Sequence, residues 1–279
     1  MNYNKNSFQA VYNLYAKQTW LLDKKHELAE LVKFSGEDMS LVVSLLERFV
    51  NIEDKALNFY LDQMSDFIIN HSSYSEATAQ IVAMSYDGQA DSGQKTLDQI
   101  KIPLYKNGWK DVQTVNTIGG AVKQYKKGKT EIIVVDEFIG SGLTVLNRVK
   151  KLRSDINPHI NITFCILAGI KDAVDLVAQQ GINIFCPLQL EKGISGYYTG
   201  SELTDAIASM KNLEQKLAKK IKDKNLSDYS FGYGHAEALL TMEGCNGNTP
   251  NSVFPIFWWV KDKDNKDRDT LLTRYERGF

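Results

Sequence analysis

Asp136 and Glu137 stand side by side after the apolar run Ile132–Val135, and Gly140, Ser141, Gly142, Leu143 and Thr144 follow within a few residues. Paired carboxylates are acceptors suited to the vicinal hydroxyls of a ribose, and they can hold Mg2+ directly or through water. The next residues have the opposite preference. Glycines let the backbone close tightly so that several N–H groups converge on one point. Ser141 and Thr144 add hydroxyl donors, and a helix starting here adds its N-terminal dipole, so residues 140–144 suit a phosphate. Acids for a sugar beside amides for a phosphate describe a site for a ribose 5-phosphate. The plainer alternative is a strand-to-helix turn whose acids cap the helix and whose glycines only permit the bend. The complete string weighs towards the phosphate site: four apolar residues, two acids, two more apolar residues, then Gly-Ser-Gly-x-Thr.

Such a site needs a strand that ends at the acids and a helix that begins after the glycines. "QIVAMSY" (80–86), "EIIVVDE", "INITFCILAG" and "INIFCPL" are short, near-continuous apolar runs with helical segments between them. That alternation indicates an α/β fold, with a central, mainly parallel sheet covered by helices on both faces. Ligands of such sheets collect outside the carboxyl ends of the strands, where Asp136 and Glu137 are expected to turn together into a loop. The helix after the fourth run, "ELTDAIASMKNLEQKLAKKIKDK", carries Ile207, Met210, Leu213, Leu217 and Ile221 on one stripe and is expected to extend through all of them.

Before Ser75 the pattern is helical. Leu57, Tyr60, Leu61, Met64, Phe67 and Ile68 recur at spacings of three and four, as do Leu41, Val42, Leu45, Leu46 and Phe49. After Ser227 the chain becomes glycine-rich and aromatic, then highly charged and exposed in character. The expected organisation is a helical N-terminal lobe (1–75), an α/β core (76–226) and a C-terminal, hood-like appendage packing on the core (227–279).

The totals exclude several classes. A formal net charge of −1, from 33 basic and 34 acidic residues, gives no global field towards nucleic acid or an anionic membrane. No run approaches the ~18 apolar residues of a membrane span, and the first residues lack the apolar core of a signal peptide. Cys165, Cys186 and Cys245 are far apart and odd in number, and Cys165 and Cys186 sit in apolar, strand-like runs, which predicts reduced, buried thiols there and a cytoplasmic protein. His26, His71, His159 and His235 show no metal-ligand spacing with cysteines, and neither a nucleophile elbow nor a Walker loop is present.

"IIVVDEFIGSGLT" resembles the phosphoribosyl pyrophosphate (PRPP) signature of type I phosphoribosyltransferases, in which four hydrophobic residues and two acids precede a Thr/Ser-Gly-x-Thr loop. The resemblance makes Asp136 and Glu137 the ribose-facing, metal-holding and catalytic acids, and puts Ser141, Gly142, Leu143 and Thr144 in the 5-phosphate loop. It departs at Gly140, where the family commonly has threonine. With the helical lead "WLLDKKHELAEL", "DSGQ", "LQLEKGIS" and "GYG…NTPNSVFPIFW", the chain is similar to divergent phosphoribosyltransferase-like proteins of bacterial conflict and anti-phage systems, retron-type systems included. That likeness implies an effector acting on PRPP or a nucleotide, held in check by a partner protein encoded beside it.

The same resemblance implies three further parts. A pyrophosphate loop is expected in "DGQADSGQK", with Ser92, Gly93 and Gln94 as donors; a hydrophilic turn is the plain alternative. A mobile cationic loop is expected in 104–129, where Lys106 or Lys110 could serve. A base-recognising hood is expected at the C-terminus, with Phe257 and Trp258 for stacking and Asn251 for edge hydrogen bonds, although aromatic residues are also ordinary core material. His235 is a lone histidine without an identified partner. Two readings of function stand side by side. One is phosphoribosyl transfer with Mg2+ between pyrophosphate and a nitrogen nucleophile; the other is a non-catalytic PRPP or nucleotide sensor that controls a partner. A scaffold with a vestigial site is a third.

Overall fold

The computed structural model describes residues 5–85 and 92–275. Contacts divide the chain into two compact units, Met1–Glu53 with Glu191–Phe279, and Asp54–Leu190. The expected boundaries lay at 75/76 and 226/227.

In the first unit, helices α1 (Lys5–Lys17), α2 (Lys25–Ser35) and α3 (Met39–Glu47) are followed by a short strand, β1 (Val50–Asn51). Leu14, Leu28, Leu31, Leu45 and Leu46 are buried, as their helical spacing predicts.

The second unit opens with α4 (Asp54–Asn70), whose apolar stripe Leu57, Leu61, Met64 and Ile68 is buried. α4 packs on the sheet of its own unit, and its Met64 carbonyl accepts the Cys165 thiol at 3.9 Å. An amphipathic stripe declares that a helix is covered, but not by which partner, and so the expected lobe ran past this helix. The chain continues through β2 (Ala79–Ala83), α5 (Ser92–Lys106), β3 (Gln113–Val115), α6 (Ile118–Tyr125), β4 (Glu131–Ile139), α7 (Leu143–Asp155), β5 (Ile162–Ile170), α8 (Lys171–Gln179), β6 (Asn183–Phe185) and β7 (Leu188–Leu190).

The strands pair in the order β3-β2-β4-β5-β6, all parallel, and β7 continues alongside β5 beyond β6. Pro187 interrupts this edge strand, as expected for a residue without an N–H to donate. β4 and β5 are central and read as unbroken apolar runs because both of their faces are covered. The fold class is therefore α/β with a mainly parallel sheet flanked by helices. β3 was not among the expected strands; it lies in the region read as a mobile loop and is only three residues long.

The chain returns to the first unit with α9 (Gly200–Gln215), then the hairpin β8 (Lys220–Ile221) and β9 (Lys224–Asn225), and finally β10 (Leu240–Thr241). The long helix expected here stops at Gln215. Leu217 instead bridges to Asp262, and Lys222 takes φ +49°, which a continuing helix forbids. β10 pairs in parallel with β1, Val50 opposite Leu240, so residues after 227 share a core with the chain's first 53. The tail is only partly exposed, because Leu271 and Leu272 are buried. No helix among the described residues is long and apolar enough to cross a membrane.

Candidate functional site

In a sheet of this order β3 lies outside β2 on one side, and β4 returns to β2's other side. The reversal makes β2/β4 the topological switch point, and crevices in open parallel sheets form at the carboxyl ends of the strands there. β2 ends at Ala83, paired with Val135, and the Met84 amide makes the last bond to the Val135 carbonyl at 3.0 Å. β4 continues to Ile139, held only by β5 through Phe138–Ala168 and Ile139–Gly169. Asp136 and Glu137 are therefore still strand residues, not the loop pair expected. β5 is as long as β4 and keeps that stretch extended, so adjacent side chains point to opposite faces.

The two acids accordingly have different surroundings. Asp136 is 8% exposed. Its Oδ1 accepts the Ser92 hydroxyl at 3.0 Å and the Glu137 amide at 2.9 Å. The second bond caps an amide at the point where β2 no longer lies alongside. Glu137 is half-buried.

After Ile139, residues 140–142 form the turn and α7 begins at Leu143. Gly142 sits at φ +79°, and a Cβ there would meet Val177 Cγ2 at 3.3 Å and the Ala173 carbonyl at 3.4 Å. Glycine is needed for both reasons. The Gly142 carbonyl accepts the Leu146 amide at 3.0 Å, and no side chain caps the helix. Among the described residues, no backbone or side-chain acceptor takes the amides of Ser141, Gly142, Leu143 or Thr144. Those of Gly142, Leu143 and Thr144 are N–H groups that a helix start leaves open, with the positive end of the α7 dipole behind them, and Ser141 immediately precedes them. Thr144 is exposed and Ser141 partly so.

Part of the expected pyrophosphate loop, Asp87–Asp91, lies outside the described residues. Ser92, Gly93 and Gln94 are described, as the first turn of α5 instead of a loop. Ser92 touches Asp136, and the Gln94 amide reaches the Asn116 carbonyl at 3.4 Å. A Cβ on Gly93 would lie 2.8 Å from the Met84 amide nitrogen, so glycine allows α5 to start hard against the end of β2. Ser85, fully buried just past that end, has a hydroxyl with no hydrogen-bond partner among the described residues. The structure thus gathers Asp136, Ser92, Gly93 and Ser85 around the switch point, with the open α7 amides on the continuation of the same strand.

Other expected residues are elsewhere. Lys106 lies in the last turn of α5, and Lys110 precedes β3, both towards the amino end of the sheet. Phe257 and Trp258 are 0% and 1% exposed. Trp258 Nε1 donates to the Val253 carbonyl at 2.9 Å, Tyr229 meets its ring edge-on at 5.6 Å, and Phe49 meets Phe257 at 5.3 Å. Rings enclosed this way have no open face for a base: they are core. The Asn251 carbonyl accepts the Tyr233 amide at 2.9 Å.

All three cysteines are free and buried. Burial pushes the Cys165 thiol well up and that of Cys186 to about 12, so neither supplies a thiolate nucleophile. Among the described residues no three His, Cys, Asp or Glu side chains gather as a metal cage. Mg2+ is ordinarily held by one or two carboxylates together with ligand phosphates; with Asp136 and Glu137 on opposite faces of β4, either could supply one such carboxylate but not both to the same ion.

Sequence reasoning missed a set of buried and half-buried polar residues in the other unit. Glu214 accepts the Ser230 hydroxyl at 2.6 Å and the Phe231 amide at 2.8 Å, and Glu237 accepts the amides of Ile194 and Ser195 at 2.8 and 2.7 Å. Arg48 donates to the Gly193 carbonyl at 2.8 Å and lies 3.8 Å over the Tyr197 ring. The only signal for them was the glycine punctuation in "EKGISG" and "FGYGH".

A family model, PRTase-CE, matches residues 23–274. The chain belongs to the PRTase-CE family. It is phosphoribosyltransferase-like by that membership, in agreement with the signature at 132–144. No curated protein matches it. Among solved structures it is similar to a hypothetical protein from Neisseria gonorrhoeae with bound ppGpp, at 13% identity over 51% of this chain and 85% of the other, with a TM-score of 0.37. It is also similar to orotate phosphoribosyltransferase from Aeropyrum pernix, at 14% identity over 49% and 72%, with a TM-score of 0.32.

Proposed function

We propose that this member of the PRTase-CE family binds PRPP or a nucleotide at the carboxyl end of β4 and transfers the phosphoribosyl group between pyrophosphate and a nitrogen nucleophile. The observation that carries the reading is the set of unpartnered amides, Ser141 to Thr144, at the start of α7, five to eight residues after an acid at the switch point. In the synthetic direction a nitrogen lone pair forms a bond to the anomeric carbon, and the carbon–oxygen bond to pyrophosphate breaks with its electron pair on the leaving group. The reverse direction cleaves a nucleotide with pyrophosphate as nucleophile. The α7 amides fix the 5-phosphate, and the carboxylates stabilise the ribose as it gains positive charge. Asp136 or Glu137, on opposite faces of β4, would supply one carboxylate to Mg2+, which when bound neutralises pyrophosphate charge.

The likeness to conflict-system proteins supports a role as an effector in bacterial anti-phage defence, retron-type systems included, acting in the cytoplasm under the restraint of a partner protein encoded beside it. The buried Asp136, with one oxygen already serving two protein donors, favours a second reading in which the site binds PRPP or a nucleotide without turnover and regulates that partner.

The test compares the wild type with Asp136→Asn/Glu137→Gln, measuring PRPP affinity by calorimetry and pyrophosphate exchange with a panel of bases in Mg2+. The double variant should stay folded and lose turnover by about 100-fold or more, the scale of removing charge stabilisation at a reacting centre. Saturable wild-type binding with no pyrophosphate exchange for any base would transfer support to the sensor reading. A double variant with wild-type binding and exchange would end both.

A further inference from the structure

The amino end of the same sheet carries a cavity of about 350 Å3 that the β4 crevice does not use. Glu131, Thr163 and Asn183 line it from β4, β5 and β6; Asn161 lines it from the lead into β5, and His71 and Tyr74 from the turn after α4. Asp136 is about 16 Å further along β4, at the rise of a strand.

One wall is pre-built. Phe67 stacks on Phe185 at 4.4 Å with rings 4° apart, and meets His71 edge-on at 5.7 Å. His71 lies nearly flat on Tyr74 at 4.0 Å and 14°. The Tyr74 hydroxyl is hydrogen-bonded to that of Thr163, itself 2% exposed. A chain of four rings anchored in β5 and β6 holds the last ring in place.

The lining also states what would fit. Among the described residues that form it there is no lysine or arginine, so no permanent cation is there to neutralise a phosphate. Glu131 is the carboxylate present, and its oxygens are taken by the Ser75 amide at 2.9 Å and the Thr78 hydroxyl at 2.8 Å. The remaining polar groups are hydroxyls, the imidazoles of His71 and His159, and the primary amides of Asn157, Asn161 and Asn183, each of which offers both a donor and an acceptor. Asn161 and Asn183 are exposed at their positions. Rigid aromatic faces beside amide edges, with no permanent cation, match a flat, uncharged heterocycle that is read by hydrogen bonds.

We propose that the cavity at the amino ends of β4, β5 and β6 is a second ligand site, which takes a free nucleobase or its uncharged nucleoside against the His71–Tyr74 wall, with Asn161 and Asn183 reading its edge. The site is separate from the phosphoribosyl crevice and does not depend on it.

Calorimetric titration of the whole chain with adenine, hypoxanthine, cytosine, uracil and their nucleosides tests this. At least one should bind the wild type, and comparing base with nucleoside tells which form is the ligand. Asn161→Leu/Asn183→Leu should weaken that binding at least about tenfold, the loss of two hydrogen bonds. Thr130→Trp, which narrows the cavity from an exposed rim position, should weaken it independently of the amides. Asp136→Asn/Glu137→Gln should leave it unchanged. Absence of binding by any member at about 1 mM, the weak end of specific recognition, would overturn the assignment. So would binding that survives both cavity variants, or binding abolished by the Asp136/Glu137 pair.

Discussion

At the start of α7, four consecutive amides have no partner among the described residues, and Asp136 and Ser92 meet at the switch point on the strand that leads to it. The loop 229–237 of the other unit is the reverse case. Phe231, Gly232, Gly234, His235 and Glu237 all have positive φ, yet its buried carboxylate neighbours are fully engaged: Glu214 by Ser230 and Phe231, Glu237 by Ile194 and Ser195. Both regions concentrate polar atoms and unusual backbone, the two marks by which functional sites are often sought. What separates them is whether the donors and acceptors are already used. Open amides at a helix start suit a ligand; amides answered by a buried carboxylate hold the chain to itself.

That comparison breaks first on Trp258. If the aromatic segment after Phe254 is core, Trp258→Ala costs about 4 kcal/mol of stability, as removal of buried large aromatic side chains does. PRPP affinity at 25 °C, measured on the fraction still folded, should not change. Urea unfolding measures the first, calorimetry the second. A variant with wild-type stability and weakened base or nucleotide binding would restore the hood reading and return this region to the site.

Glu237 gives the next largest effect and sets the two kinds of carboxylate side by side. Glu237→Ala leaves the buried Ile194 amide and the Ser195 amide without an acceptor, a loss of about 3 kcal/mol on the scale of hydrogen bonds to charged groups. Glu237→Gln keeps one acceptor oxygen and should recover about half of that loss on the same scale. The conservative change at Asp136 and Glu137 should cost no more stability than Glu237→Gln, since Asp136 Oδ1 likewise serves two donors, but it alone should remove turnover. If Glu237→Ala unfolds like the wild type and instead alters PRPP binding, the division into structural and ligand-facing carboxylates fails.

The two regions also differed in how far their sequence could be read. Ile132–Val135, the acids and the Gly140–Thr144 turn are contiguous, and each property follows from local rules: apolar runs for a covered strand, glycine for φ +79°, an uncapped helix start for open amides. Even there the strand outran its expected end, because its length is set by β5, a pairing partner some 30 positions away in register. The arrangement of Glu214, Arg48 and Glu237 has no local signature beyond the glycines around it. Arg48 reaches Gly193 across 145 positions, and Glu237 reaches Ile194 across 43. Ser92–Gln94 were readable as donors but not as a helix start, since that depends on the close approach of Gly93 to Met84. The apolar stripe Ile207–Ile221 was overextended because Leu217 remains in helical phase after the helix has ended and is buried by a different contact.

The smallest effect concerns Glu214 and sharpens the same contrast through pH. Burial raises its pKa above the usual carboxylate value, and the bonds from the Ser230 hydroxyl and Phe231 amide, with the charge of His235, only partly offset that. A carboxyl group with a folded-state pKa above its unfolded one binds more protons when folded, so its contribution to stability is complete below the unfolded value and is lost as pH rises through the folded one. The wild type should therefore lose stability relative to Glu214→Gln as pH is raised from about 4 through the raised value, and the difference should level off above it. Urea unfolding of the two proteins across that range measures it. A difference that is flat with pH would mean that burial and the bonds cancel; one that grows in the wild type's favour would mean that the bonds from Ser230 and Phe231 outweigh burial. Glu214 would then be held as an anion, with its stability contribution lost on acidification instead.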